Sequence, residues 1–416
     1  MRCKLPAICW ITTCSMSKEL LQQPDIQAFI RQYQQHEPAA LRLRFAKQHP
    51  DWPWPAILNQ IKARQKAATK LPDWYATPGI LFPDPLAVEQ ASSQATARFK
   101  ATVVASGSRA LDLTGGLGAD SASLSQRFAQ VDYVEIDEQR AALAQHNFQA
   151  LGLKNIKVYQ QDAEQFLQQT TTPYDLIYLD PDRRPDKQRV SALAHSRPNV
   201  LALLPRLLQT GRQVLIKTAP LLDISATASQ LPNLLQVGVV ALQNEVKEVL
   251  YLLQAGYEDK YSIRCVELHK KRRYDFKFKL EEEIQEEIKI SDISNYLYMP
   301  GAAVLKAGAF KLAGSRFGLY KLHANTHLYT ADKHVAGFPG QVFKVLGTAA
   351  YRKKTVQALL PSRQANISVR NFPDSPEQVK KTLGLRDGGK LYLFAYRNAA
   401  GRPEIAVTEK VEDRLS

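Results

Sequence analysis

The sequence predicts an α/β protein: a parallel sheet with helices on both faces, preceded by a helical segment and followed by small α+β units. Two observations carry this prediction. Strand-like and helix-like stretches alternate strictly between about residues 101 and 268. A glycine-rich run, ALDLTGGLGADS at 110–121, joins the first of these strands to a helix. Glycines there let the backbone pass close to a ligand, and the helix beginning near Asp120 points free N–H groups at it.

At 416 residues the chain exceeds one typical core. A hydrophobic content of 45% excludes a disordered chain, and a net charge of +15 points to a polyanionic partner. Nucleic acid is the first candidate and a membrane surface the second. Cys3, Cys9 and Cys14 crowd the beginning while Cys265 stands alone, so no disulfide framework, zinc site or other metal is expected. No apolar run is long enough to span a bilayer. The opening MRCKLPAICWITTC has weak leader character, but residues 1–15 read better as a start-site artefact ahead of Met16. The remainder fits a cytoplasmic protein.

Apolar residues at helical intervals, such as Phe29, Ile30 and Tyr33, predict a helical domain over residues 16–100. Its proline-bearing phrases, DWPWP at 51–55 and LPDWYATPGILFPDPL at 71–86, favour turns and extended chain. The second carries Trp74, Ile80, Leu81 and Phe82, and is expected to lie as a strap over a neighbouring domain. A helix over 89–102 then leads to strands at 109–113, 131–136, 155–159, 174–180, 212–217, 245–253 and 261–268. With only AGYEDK between them, the last two are expected to form an antiparallel hairpin at the sheet edge. The basic run HKKRRYDFKFK and the acidic run EEEIQEEIK read as linker, which sets a boundary at residue 269. Beyond it come a helix over 301–320, strands at 326–330 and 341–346, and a terminal unit. That unit runs helix 351–360, strand 365–370, helix 376–383, and strands 390–396 and 404–410. Ser375 and Pro376 form a helix start, and Gly384 a stop. Two small α+β sheets are expected.

Four signals fall at successive strand ends, where an open α/β sheet binds its ligand. They are Asp112 with the glycine turn, Glu135 in VDYVEIDE, Asp162 in YQQDAEQF, and LDPDRRP at 179–185. A carboxylate at Glu135 can take both hydroxyls of a ribose, and one at Asp162 an adenine amino group. Over residues 101–268 this order resembles the class I S-adenosylmethionine-dependent methyltransferases, whose Rossmann-like sheet has seven strands. The resemblance implies S-adenosylmethionine as cofactor. Asp112, Thr114, Gly115, Gly116 and Gly118 would surround its methionine part, Glu135 and Ile136 its ribose side, and Asp162 with Ala163 its adenine. Asp180, at the end of the fourth strand, would close the site. Thr114 stands where the family more often has glycine, a form similar to that of guanine-N2 methyltransferases of small-subunit rRNA. A nicotinamide-dependent oxidoreductase would put its third glycine on Ser121 and leave Asp180-Pro181 without work.

Asp180-Pro181 resembles the Asp/Asn-Pro-Pro-aromatic loop of amino-directed methyltransferases. The likeness implies that the acid and the following carbonyl accept hydrogen bonds from an exocyclic amine. Here Asp182 and Arg183 replace the second proline and the aromatic, so adenine N6 is disfavoured. Pyrimidine-C5 chemistry needs a nucleophilic cysteine, absent after the fifth strand, which reads IKTAP. Arg183 and Arg184 suit an RNA phosphate or a helix C-terminus equally. Lys217, at the end of the fifth strand, faces the same opening in this fold and is a candidate substrate contact, with a solvated lysine as the plainer alternative. Lys270, Lys271, Arg272 and Arg273, and separately Arg352, Lys353 and Lys354, are candidate phosphate contacts, with solvated surface as the plainer alternative. Tyr392, Phe394 and Tyr396 alternate on one strand face, suited to base stacking or to a core.

ANISVRNFP and LGLRDGGKLYLFAYRN resemble a THUMP-like domain appended to bacterial class I methyltransferases, and GAFKLAGSRFGLYKLHANTHLYTADK a ferredoxin-like module preceding it. The expected domains are therefore a helical one at 16–100, a methyltransferase at 101–268, a linker and ferredoxin-like domain at 269–345, and a THUMP-like domain at 346–416. The implied activity is methylation of an exocyclic amine, guanine N2 favoured, in tRNA or rRNA. A protein or small-molecule acceptor, and an inactive RNA-binding module, remain as alternatives.

Overall fold

The computed structural model describes residues 20–183, 193–269 and 273–411. Expectations placed on residues 1–15, Arg184, Lys270, Lys271 and Arg272 lie outside these, as does the side chain of Arg183. The chain divides into two compact units, Met1–Lys217 and Thr218–Ser416.

Helices Pro24–Tyr33, Pro38–Phe45 and Trp54–Lys70 open the first unit. The proline phrases do not simply interrupt them. Pro24, Pro38 and Pro55 each sit in a helix's first turn, as do the prolines starting Pro72–Ala76 and Pro85–Gln90. There the missing N–H has no intrahelical partner to lose. Phe29, Ile30, Trp54, Ile57 and Ile61 pack in one cluster with Leu81 of the strap. Ile80, Leu81 and Phe82 are only 1–2% exposed, and each such burial contributes about 1.5–3 kcal/mol. The strap's backbone is paired too. Leu81 exchanges two hydrogen bonds with the Asn147 amide, at 3.0 and 2.8 Å, and Phe82 two with Gln60, at 2.9 and 2.5 Å.

Helix Gln94–Val103, capped by Ser93, leads to β1 (Gly107–Asp112). β2 (Phe128–Glu135), β3 (Ile156–Gln160) and β4 (Tyr174–Leu179) follow, alternating with helices Ala119–Leu124, Glu138–Ala150 and Ala163–Gln169. β5 (Asp182–Arg183) and β6 (Ser196–Arg197) make a small antiparallel ribbon, and β7 is Gly211–Thr218. The sheet order is β3-β2-β1-β4-β7, with every adjacent pair parallel. The chain winds outward from β1 to β3 and returns to β4 on the other side of β1. The crevice of an open α/β sheet lies at this reversal.

In the second unit, β8 (Leu234–Leu242), β9 (Glu245–Gln254), β10 (Ser262–Leu268) and β11 (Arg273–Lys279) lie in the order β9-β8-β10-β11. Among the described residues the sheet has nine strands, not seven. The expected hairpin of 245–253 with 261–268 does not form. β9 pairs instead with β8, through a two-residue turn in which Gln243 and Asn244 have φ of 54° and 63°. Two left-handed residues give the tight turn whose twist matches the strands it joins. β10 runs parallel to β8 and antiparallel to β11. The basic run taken for linker supplies β11: Phe276 and Phe278 are buried while Arg273, Lys277 and Lys279 face outward.

Helix Leu280–Gln285 and strand β12 (Tyr296–Pro300) come next. The helix expected over 301–320 is two short ones, Ala302–Ala307 and Leu312–Ser315, because Gly308 ends the first in the left-handed region. β13 (Tyr320–His323), β14 (Thr326–Ala331), β15 (Gly340–Ala350), β16 (Asn366–Arg370), β17 (Leu391–Arg397) and β18 (Pro403–Lys410) complete the chain. Long β15 pairs with both β12 and β18, so one seven-stranded sheet replaces the two expected, in the order β13-β14-β12-β15-β18-β17-β16. Ser375 caps helix Pro376–Leu383 in a reciprocal box with Gln378, and Gly384 closes it at φ 63°. Phe394 and Tyr396 fill one apolar cluster with Tyr392 packed against it, while Leu393 and Ala395 belong to another. β17 is thus a core strand.

Candidate active site

β1 ends at Asp112, which is fully buried beneath the glycine turn. One of its oxygens accepts from the Thr114 amide at 3.1 Å and the other from the Ser121 hydroxyl at 2.6 Å. Burial, reinforced by the nearby charge of Asp120, pushes its carboxyl up to about 7. The turn itself is fixed by packing. A Cβ on Gly115 would lie 2.2 Å from the Tyr133 ring, and Gly116 and Gly118 take φ of 55° and 89°. Tyr133 closes the arrangement by donating to the Gly116 carbonyl at 2.7 Å.

A cavity of about 420 Å³ opens over this turn, a size suited to a nucleoside-bearing cofactor. Thr114, Gly115, Gly116, Gly118, Glu135, Ile136, Asp162, Ala163 and Asp180 line it. Asp112 and Pro181 do not: Asp112 braces the turn from behind, and Asp182 reaches the cavity in place of Pro181.

Glu135, 7% exposed, accepts from the Gly116 amide through one oxygen and from the Asp137 amide through the other, both at 2.9 Å. A carboxylate has about four lone-pair sites, so two remain for a diol. Asp162 caps helix Ala163–Gln169 with a single oxygen, which accepts from Glu164 and Gln165. Ile136, half exposed, offers an apolar face between the two acids.

Asp180 stands just beyond β4. Its amide donates to the Thr114 hydroxyl at 2.6 Å, and its carboxylate forms an ion pair with Lys217 of β7. Thr114, the departure from glycine, thus ties the glycine turn to the loop after β4. Lys217 is 14% exposed and engaged at the site.

Sequence reasoning missed three residues here. Asp120, in the first turn of Ala119–Leu124, lines the cavity and accepts from the Ser92 hydroxyl at 2.8 Å and the Tyr178 hydroxyl at 3.0 Å. Lys100, 2% exposed, reaches its other oxygen at 2.9 Å. Burial opposes the charge on Asp120, but Lys100 and Lys217 outweigh it and hold the carboxyl below its ordinary range. Asp120 lay in view within GLGADS; Ser92 and Lys100 carried no signal beyond an unremarkable helical stretch. The strap also enters the wall through Pro83, Asp84, Leu86 and Ala87.

Arg273, Arg352, Lys353 and Lys354 are exposed and far along the chain from this cavity, in the second unit. Cys265 is buried in β10, and burial pushes its thiol upward. Among the described residues there is no cluster of His, Cys, Asp and Glu able to hold a metal, and no helix is long and apolar enough to cross a membrane.

Residues 105–275 match the family model of a methyltransferase domain, 296–339 that of a ferredoxin-like domain, and 340–410 that of a THUMP domain-like unit. An uncharacterized S-adenosylmethionine-dependent methyltransferase of Mycobacterium tuberculosis H37Rv is 26% identical over 370 residues, spanning 87% of this chain and 96% of the relative. The crystal structure of a methyltransferase candidate from Porphyromonas gingivalis W83 is 32% identical, with a TM-score of 0.85 over 95% of this chain and 99% of that one. The chain belongs to this family of class I S-adenosylmethionine-dependent methyltransferases, in which a methyltransferase domain is followed by ferredoxin-like and THUMP-like domains.

Proposed function

We propose that the protein methylates an exocyclic amine of a base in tRNA or rRNA, with guanine N2 the favoured atom. The observation that carries this reading is Asp180: an ionic acceptor beside the cofactor cavity, anchored by its own amide to Thr114 and by its carboxylate to Lys217. The THUMP-like match and the net charge of +15 support an RNA substrate.

S-adenosylmethionine supplies a methyl group on a sulfonium, ready for direct displacement. Glu135 would hold the ribose diol, Asp162 the adenine amine, and Asp120 the α-ammonium, while Asp112 builds the turn. The Asp180 carboxylate and the Pro181 carbonyl would accept hydrogen bonds from the acceptor amine and so orient its lone pair toward the cavity; as the N–C bond forms and the S–CH3 bond breaks, the surplus amine proton would leave to solvent. A base inside a duplex must first be extruded, at a cost of a few kcal/mol.

The test combines purified protein, radiolabelled S-adenosylmethionine and total RNA from a strain lacking the gene. Label entering a tRNA or rRNA band with wild type and falling at least about 100-fold with Asp180→Ala is the expected result. Cofactor binding without any RNA label would turn the reading to a protein or small-molecule acceptor. Equal labelling by both proteins would remove Asp180 from its role.

A further inference from the structure

The ribbon that follows Asp180 puts a second polar edge on the cavity. β5 pairs antiparallel with β6, and Asp182 stands directly opposite Arg197 in that ladder. Residues so paired hold their Cβ atoms about 4.5–5.5 Å apart on one face. Both side chains are exposed, and both line the cavity that Asp180 lines. Ser196 and Pro198, on either side of Arg197, are buried. The Ser196 hydroxyl lies 2.8 and 2.7 Å from the Leu193 and Pro198 carbonyls, and the Asn199 amide donates to Glu164 at 3.2 Å. The return strand is thus fixed through its buried neighbours, while Arg197 stays open to the cavity.

Opposite charges facing each other across a ladder ordinarily satisfy one another. Among the described residues, neither the Asp182 carboxylate nor the Arg197 guanidinium has a hydrogen bond or an ion pair. Each therefore keeps its capacity for a ligand. From the chain and then across the ladder, the wall offers Asp180, Asp182 and Arg197, in the order acceptor, acceptor, donor. The edge of guanine is the complement: the N2 amine donates, N1–H donates, and O6 accepts. Adenine and cytosine differ at the middle place. The ring nitrogen beside their exocyclic amine carries no hydrogen, so its lone pair would face the lone pairs of Asp182. A site built to pair an N–H discriminates strongly against a base that lacks it, because its own polar group is then left unpaired.

We propose that Asp182 and Arg197 select guanine as the acceptor base, Asp182 accepting from N1–H and Arg197 donating to O6 while Asp180 holds the N2 amine. The selection rests on the RNA reading above and deepens it. The choice of guanine then follows from the wall of the cavity and not only from the likeness at Thr114.

The experiment incubates full-length protein with radiolabelled S-adenosylmethionine and total RNA from a strain lacking the gene, then digests the RNA and separates its nucleosides. It compares wild type, Asp182→Ala, Arg197→Met and Arg197→Lys, with RNA binding followed across a salt series and cofactor affinity by calorimetry. With wild type, the label is expected in guanosine methylated at N2. Asp182→Ala and Arg197→Met should each lower kcat/KM for RNA roughly 10- to 100-fold. Arg197→Lys, whose ammonium still donates to O6, should recover part of the loss. Cofactor affinity and melting temperature should be unchanged, since both side chains are exposed. The sign for Asp182→Ala is diagnostic: an acid acting only through its field repels a polyanion, so its removal would tighten RNA binding. Tighter or unaltered use of RNA by Asp182→Ala overturns the selection and leaves RNA methylation standing. A salt slope reduced by about one in Arg197→Met would mark a phosphate contact and overturn the base contact. Cofactor affinity lost in Asp182→Ala would assign that residue to the cofactor and overturn the proposal. Label in an adenosine or cytidine derivative overturns guanine selection, and no label in any RNA overturns the RNA reading and the selection with it.

Discussion

The Thr114 hydroxyl accepts the amide of Asp180 at 2.6 Å, so the end of β1 and the end of β4 are fastened together on the wall of the cavity. A glycine at position 114 would leave the turn intact and the Asp180 amide without this partner. One such hydrogen bond contributes on the order of 1 kcal/mol. Thr114→Gly should therefore lower kcat about five- to tenfold with little change in cofactor affinity, and Thr114→Ser should restore most of the loss. Equal loss of cofactor binding, measured by calorimetry, would show that the threonine serves the turn instead.

Glu135 holds the Gly116 and Asp137 amides and presents its remaining lone pairs to the cavity. Glu135→Ala removes the proposed ribose acceptor and two internal bonds together. Cofactor affinity should fall by about 2–3 kcal/mol, or roughly 30- to 150-fold. Because Glu135 lies on the cavity wall, far-ultraviolet circular dichroism should be unaltered. Unchanged calorimetric affinity would move the ribose contact to another residue.

Asp112 gives the chain a pH signature. Its carboxyl is raised by burial from 3.8 to about 7, so the native state binds a proton that the unfolded state releases between those values. The stability it contributes is full below about pH 4 and is lost progressively as pH rises to and through about 7, with a slope of up to about 1.4 kcal/mol per pH unit. Urea melts at pH 5 and pH 7.5 should show this decline in wild type and a flatter profile in Asp112→Asn. Parallel profiles would mean that the group is ionised in the native state throughout.

That the glycine turn, Glu135, Asp162 and Asp180 would line one cavity was legible because the signal is local: a glycine turn and acids at strand ends announce themselves at fixed spacing. The hairpin was not, since Gln243-Asn244 lacks the glycine that usually marks such turns, and AGYEDK has one. β11 was hidden by composition. Its inward Phe276 and Phe278 alternate as a strand requires, but the lysines and arginines around them dominate the average. The partners of Asp120 were invisible for another reason: Ser92 and Lys100 gain meaning only when helix Gln94–Val103 packs beside the glycine turn, a contact that no sequence period encodes. Likewise, no local signal tells that Lys217 will meet Asp180, 37 residues away in sequence.

Lys100 supplies the last prediction. Its ammonium is buried against Asp120, and both donate to or accept from Ser92, at 2.6 and 2.8 Å. Lys100→Met fills the same space but strips the charge, leaving Asp120 with hydroxyl donors and Lys217 at longer range. Breaking one partner of a buried pair is destabilising by about 3–5 kcal/mol, whereas replacing both by neutral groups is far milder. Thermal unfolding should fall by on the order of 10 °C in Lys100→Met and recover by at least half in Lys100→Met/Asp120→Asn. The double variant should nevertheless bind S-adenosylmethionine poorly, because residue 120, the proposed partner of the α-ammonium, is no longer an anion. Full cofactor affinity in a stable double variant would make the pair a purely structural brace; poor affinity would place Asp120 on the ligand.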